Sequence, residues 1–553
     1  MQHIRNALAN GLNIGLIIAF ALLLHITAFG WQSLDPASTA WLLRDEPAQH
    51  YLGWYFFRHE PWHWPLGRIE GFGLPAGSSV AMTDAIPLLA IPFKLLSPLL
   101  PEHFQYFGLW MLACFMLNGY FGLRLMARLS EHASLRFLGA LFFVLSPVLL
   151  FRAHGHEALM AQWMILAACE RYYSGWKGRY WLLLCAAAAL CHPYLLFMLL
   201  ALYAAALLDA ARSGSVPLRW LGAHVAFCAL FVLGLLWTAG YLLDGPVDRS
   251  GYGYFSMNLL ALFDPQFFNA SRFFSQHAFS PDFAPYGQYE GFLYLGAGML
   301  LLLAVGTGAC LAGSKPARVL HWLRRDWPLY AAALTLWLLA LSTKVMLGSW
   351  HLFTVPVPAA VEQVLSTFRA SGRFGWPLFY LLNLYALALV VRYLPRRGAQ
   401  CVLLAALALQ LLDQYPKYQE FRTLFQARAA TVNTLPSPRW GELARHAERL
   451  VLLPPHPAME NIYIPFAHFA ARHRLATNAA RLARTLPGDE AAYGATSLRR
   501  LAAGERDPAT IYVLFERAGL AALPAAVQAD LIELDGYWVV PPVAATLDAT
   551  HAR

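Results

Sequence analysis

Six carboxylates and a scatter of arginines and histidines stand where an otherwise apolar chain is interrupted. Asp45 and Glu46 lie near the start of LLRDEPAQHYLGWYFFRHEPWHWPLG (residues 42–67), which also carries His50, Arg58, His59, Glu60 and His63. Asp84 lies in AMTDAIPLLAIPFKLLSPLLP. Further on come FRAHGHEALMAQW with Arg152, His154, His156 and Glu157, CHPYLL with His192, GQYEGFLYLG with Glu290, and FRASGRFGWP with Arg369 and Arg373. A positioned carboxylate can take a proton from a hydroxyl. Arginines four apart share one face if their segment is helical, and their guanidinium forks match phosphate oxygens. The HGHE run lacks a third ligand at a diagnostic distance, so it is weak as a metal motif.

The elements that must position these groups belong to a membrane protein. Of 553 residues 58% are hydrophobic and only 13% charged, too apolar for a soluble chain of this length to hide in one core. Apolar runs of roughly 17–25 residues can cross a bilayer. They recur from about Gly11 to Leu412 and predict about eleven spans, centred near residues 20, 115, 145, 164, 185, 202, 230, 302, 336, 384 and 406. The N-terminal run, with Arg5 before it and no small-residue cleavage site, reads as an uncleaved signal anchor. Short connections on one side hold Arg124, Arg128 and Arg136, then Arg171, Lys177 and Arg179, Arg212 and Arg219, Lys315 to Arg325, and Arg392 to Arg397. Positive residues stay with the cytoplasm, so the loop 31–103, the other long loops and the C-terminal region fall outside.

Two domains are expected: 1–414 in the membrane and 415–553 as a small extracytoplasmic α/β domain. In the tail RLVLLPP, RLATN, TIYVLF and GYWVVPP read as strands, while IPFAHFAARH and ATSLRRLAAG read as helices. The second half of the Asp84 segment, apolar and punctuated by proline, reads as a helix lying in the interface. All seven cysteines fall in or beside spans, which gives no disulfide framework and no zinc spacing. The net charge of +9 is spread along the chain, as topology and contact with lipid phosphate require, and is no nucleic-acid footprint.

Each polar group also has an ordinary structural role open to it. Arg58, Arg152, Trp62 and Trp64 fit interfacial anchors. His154, His156 and Glu157 fit a cap or a packing contact, and His192 before Pro193 fits a break between two helices. Asp45 fits a helix cap with Pro47 in the first turn.

A long first outer loop with an early acidic residue, an interfacial helix in that loop, many spans and an outer α/β tail resemble the GT-C superfamily of membrane glycosyltransferases. More closely, QHYLGWYFFRHEPWHWPLG, TDAIPLLAIPFKLL, FQYFGLWMLACFMLNGYFG, GQYEGFLYLG and FRASGRFGWP are similar to an uncharacterised family of bacterial integral membrane proteins grouped with it. The similarity extends to about Lys417. It implies transfer of a sugar from a polyprenyl-phosphate donor to a glycan, glycolipid or protein acceptor on the periplasmic side of the inner membrane. Asp45 would be the base, with Glu46 and Asp84 as the other catalytic carboxylates. His50, Arg58, His154, His156, Glu157, His192, Glu290, Arg369 and Arg373 would bind substrate. An inverting displacement needs one base only. The acidic position is a single Asp followed by Glu and Pro rather than D-x-D, so no cofactor is implied beyond an optional divalent cation, Mg or Mn. Two rivals are a lipid or glycan transporter, which would place ionisable residues within its spans, and a non-catalytic envelope-assembly protein.

Overall fold

The computed structural model describes residues 2–242, 252–266, 270–274, 286–313, 324–429, 435–453, 461–484, 489–515, 520 and 523–545. The fold is mostly helical, with six candidate membrane-spanning helices and a small C-terminal α/β region. Those six are Asn10–Phe29, Phe107–Met126, Ala133–Arg152, Pro193–Arg212, Leu218–Ala239 and Ser371–Tyr393. Ala297–Ala312 and Trp327–Leu341 are apolar but shorter. Near two further predicted centres the helices Trp163–Tyr173 and Gly178–Ala189 have 11 and 12 residues. At 1.5 Å per residue they fall well short of a hydrocarbon core of about 30 Å. The last predicted centre lies in Arg396–Ala429, a 34-residue helix that runs on through the expected boundary at 414/415.

The chain divides into two compact units. The first comprises Met1–Asp35, Tyr106–Val232 and Arg249–Phe425. Within it Asp413 is fully buried and its carboxylate accepts from the Ala297 amide and from Tyr294 Oη, both at 2.8 Å. An acidic group at the first turn of Ala297–Ala312 meets the positive end of that helix and satisfies a donor that has no partner within the helix.

The second unit comprises Pro36–Gln105, Leu233–Asp248 and Gln426–Arg553, so the first loop and the tail belong together. Its sheet has five strands, in the order Ala476–Thr477, Arg449–Leu453, Thr510–Leu514, Tyr537–Val540 and Ile532–Leu534. The first three are parallel and the last two pairings antiparallel. Arg449–Leu453 and Thr510–Leu514 are buried apolar runs, the pattern expected of parallel strands covered on both faces. The edge at Thr477 is not left open. Phe72 pairs with it in parallel, the Thr477 amide donates to Gly71 O at 2.8 Å, and the Gly73 amide donates to Thr477 O at 2.9 Å. A loop of the N-terminal half thus caps a sheet edge that could otherwise recruit other chains. The predicted interfacial helix is Pro87–Leu95, and Leu95, Leu96 and Leu99 at its end are exposed, as a surface facing lipid would be.

Candidate functional site

In the first unit Glu290 gathers charge from three parts of the chain. Arg373 makes a fork with it, Nε to Oε2 at 2.8 Å and Nη2 to Oε1 at 2.6 Å. Arg152 donates from Nη1 to Oε2 at 2.7 Å and from Nη2 to the Glu290 carbonyl at 3.1 Å. His156 Nε2 lies 3.9 Å from Oε1. Arg152 is fully buried, Glu290 and Arg373 nearly so. Burial alone would raise the Glu290 carboxyl, but the guanidiniums of Arg152 and Arg373 outweigh it and hold the group well below the usual carboxylate range. Two buried guanidiniums thus converge on one carboxylate. Arg152 Nε is buried without a hydrogen-bond partner among the described residues, while its guanidinium lies 5.2 Å from the Trp376 ring centroid.

Local geometry explains how these side chains meet. Gly372 packs against the backbone at Gly291: a Cβ there would lie 2.6 Å from Gly291 Cα and N. That close approach is open only to glycine, and it sets Arg373 beside Glu290. Arg152 ends the span Ala133–Arg152, and Arg373 is near the start of Ser371–Tyr393. The two cations thus sit at span ends.

The expected pairing of Arg369 with Arg373 on one helical face does not occur. Ala370 leaves helical geometry (φ −86°, ψ 58°) between two short 3-10 turns, so the four-residue rule has no continuous α-helix to act on. Arg373 is buried on Glu290, whereas Arg369 is exposed with its guanidinium 5.7 Å from the Phe255 ring. His192 caps Pro193–Arg212, its Nδ1 accepting from the Tyr194 amide at 3.2 Å. Tyr194 in turn accepts from the Ala370 amide at 2.8 Å, and its ring lies 4.7 Å from the Arg373 guanidinium. His192 therefore acts on the cluster through Tyr194. His154 is exposed, its ring 6.1 Å from Phe421, and Glu157 is buried, its carbonyl accepting from Trp110 Nε1 at 2.8 Å.

In the second unit Asp45 opens the helix Asp45–His59. It is clasped by Asn461. The Asp45 amide donates to Asn461 Oδ1 at 2.8 Å, and Asn461 Nδ2 donates to Asp45 Oδ1 at 2.9 Å. Both residues have left-handed backbone, φ +54° and +71°. Such strain is held only when the surroundings fix it, and it concentrates at functional positions. The Asp45 side chain remains 38% exposed, with Arg44 Nε 3.6 Å from Oδ2. Glu46 faces Arg481 at 3.5 Å, an exposed pair worth little energetically. Asp84 is half-buried and, with Ile86, also left-handed (φ +54° and +56°). It follows Thr83, which packs directly on Gly53 of the Asp45 helix.

His50 is buried within that helix. Arg58 is held by the protein's own backbone. Its guanidinium donates to three backbone carbonyls, Glu102 and Leu100 at 3.0 Å and Ser97 at 3.3 Å, which closes the loop behind the interfacial helix. Lys94, not singled out in the sequence, sits 4.1 Å over Phe57 and 4.6 Å over Trp62, and burial lowers its pKa to about 8. Arg152 and Asn461 were also missed as site residues. Arg152 had a signal, four residues before His156, but resembled an interfacial anchor; Asn461, in a tail segment 416 residues from Asp45, had none. Among the described residues no group of three or more His, Cys, Asp or Glu could hold a metal ion.

Residues 18–415 match a family model described as a domain of unknown function, DUF6311, and residues 439–542 match the DUF6311 C-terminal domain. No curated protein and no solved structure matches the chain.

Proposed function

The chain belongs to the DUF6311 family, and from that premise we propose that it is a membrane glycosyltransferase of GT-C type that moves a sugar from a polyprenyl-phosphate donor to an envelope acceptor. The observation that carries this is the buried cluster in which Arg152 and Arg373 converge on Glu290, both arginines standing at span ends. A lipid-borne phosphate travels at that depth, and guanidiniums can stabilise it as it departs with the developing charge. A transporter would place such charges nearer the middle of its spans. Asp45 is the base in this scheme, a half-exposed carboxylate whose orientation Asn461 fixes. It takes the proton from the acceptor hydroxyl while the acceptor oxygen attacks the sugar and the phosphate leaves. The fuller topology belongs to the same proposal: about eleven spans, an inner-membrane location, and the loop 31–103 and tail in the periplasm.

The test is mass spectrometry of envelope glycans from cells with and without the gene. A glycan lacking one sugar in the deletion, restored by the intact gene, is the expected result. Unchanged glycans together with normal levels of every lipid-linked sugar would overturn the proposal.

A further inference from the structure

Between the apolar helix Trp327–Leu341 and the span Ser371–Tyr393 the first unit carries a hairpin whose outer strand is uncovered. Lys344–Leu347 pairs antiparallel with Trp350–Thr354. The inner strand is seated on the unit. Val345 and Met346 are buried, the Leu259 amide donates to Met346 O at 3.0 Å, and Asn258 grips the turn, its Nδ2 donating to Gly348 O and its Oδ1 accepting from the Gly348 amide, both at 2.9 Å. The hairpin is therefore held in one pose. Its outer strand is exposed at all 5 residues, yet Trp350, Leu352 and Phe353 are large and apolar, and Val355, Val361 and Val364 continue the exposed apolar surface into the short helix Ala359–Leu365. Trp350 is 70% exposed and Val364 67%. From Val345 to Val361 the sequence holds no Asp, Glu, Lys or Arg. Exposed apolar surface that is contiguous and free of charge marks a contact with a membrane or a protein.

We propose that this hairpin and the helix after it lie in the headgroup boundary of the bilayer, a contact with the lipid surface additional to the spans. Continuity with a lipid-facing surface selects the bilayer as the occupant. Leu334 and Leu338, on the apolar helix that leads into the hairpin, are exposed as lipid-facing residues are, and the first strand begins at Lys344, directly after that helix ends at Leu341. Tryptophan favours this boundary. The polar side chains of the outer strand suit it as well, because His351 Nε2 and Thr354 Oγ1 partner each other at 2.9 Å, which lowers the cost of leaving water. The backbone sets the depth. Trp350–Thr354 has no second neighbouring strand among the described residues, so its outer N–H and C=O groups need water or headgroups, and such an open edge does not enter the hydrocarbon core. A second copy of the chain is the rival occupant, by pairing on that edge, but Pro356 and Pro358 lack amide donors and stop the strand from extending its ladder. The inference rests on the membrane reading of the chain and not on the proposed reaction.

Spin-label EPR on the full chain in vesicles of phosphatidylethanolamine and phosphatidylglycerol tests this. Phe353→Cys, Val364→Cys and Gln363→Cys each supply one labelling site in a Cys401→Ser background, since the other six cysteines are buried. Labels at positions 353 and 364 should collide with oxygen more than with a water-soluble nickel chelate, and should report a depth of roughly 5–10 Å below the headgroups. Gln363 is exposed and, two residues after Val361, lies on the far side of the short helix, so a label there should meet the chelate more than oxygen. Labels at positions 353 and 364 as open to the chelate as the one at position 363 would overturn the proposal. Dipolar broadening that disappears on dilution with unlabelled protein would seat a second copy on the hairpin and refute the bilayer as its occupant. If Phe353→Cys fails to accumulate, the comparison of Val364→Cys with Gln363→Cys decides by the same criterion.

Discussion

Glu290→Gln should destabilise the protein more than Arg152→Met, although the second change deletes far more of a fully buried side chain. Glu290 accepts from Arg152 Nη1 at 2.7 Å and from Arg373 Nε and Nη2 at 2.8 and 2.6 Å. An amide keeps the shape but removes the negative charge, so two buried guanidiniums face each other with no counter-ion. Removing one partner of a buried ion pair costs about 3–5 kcal/mol. Arg152→Met instead leaves the Arg373–Glu290 fork intact and electrically balanced, and forfeits hydrogen bonds worth about 1–3 kcal/mol. The gap of roughly 2 kcal/mol should appear as a lower apparent Tm of Glu290→Gln, by a few degrees, in tryptophan-fluorescence melts of detergent-purified protein. Inorganic phosphate should raise the Tm of Glu290→Gln more than that of the wild type, since it can supply the missing charge. Because the Glu290 carboxyl is held below the usual range, its stabilising effect is complete above about pH 4.5 and fades only as pH falls through the lower folded value. A Tm for Arg152→Met equal to or below that of Glu290→Gln would refute the charge argument.

Gly372→Ala should produce the same loss without altering charge, because its Cβ would lie 2.6 Å from Gly291 backbone atoms; a wild-type melt would show that the close approach is dispensable. The second unit should weaken in acid. Burial lowers His59 and His468 to about 4, so the unfolded chain takes up protons from pH 6.5 downward while the folded chain does not. Up to about 3 kcal/mol is lost between those values at His468 and less at half-buried His59, where solvent screens the charge, and His59→Gln should flatten part of the fall in Tm from pH 7 to 4.5. Asn461→Gly suits the left-handed backbone (φ +71°) but deletes the clasp; product formation should drop about tenfold or more at normal membrane levels of protein, and unaltered product would show that Asp45 needs no such support.

The general architecture was legible because it rests on period and composition: apolar runs became helices, and the four tail segments read as strands lie in one sheet. Span length was less legible. Trp163–Tyr173 and Gly178–Ala189 are apolar enough to resemble spans, but turns end them early. Partnership across the chain was hidden altogether. Nothing in the spacing of Arg369 and Arg373 shows that Ala370 breaks the helix, or that Glu290 competes for Arg373. Nor could local pattern show that Phe72 closes the sheet at Thr477, which joins the Asp45 loop to the tail. Such contacts depend on tertiary packing, which periodicity does not encode.

The most direct test of the central claim is to quantify, in one membrane extract, both the polyprenyl-phosphate sugar and the acceptor glycan from cells carrying wild-type protein or Asp45→Asn. The substitution keeps size but removes the basic oxygen, and a general base is worth about 10²–10⁴ in rate. With protein levels and melting unchanged, the lipid-linked sugar should build up while the glycan loses the corresponding residue. Normal glycan in Asp45→Asn, with Asp84→Asn or Glu46→Gln inactive instead, would contradict the assignment and move the base to the other carboxylate.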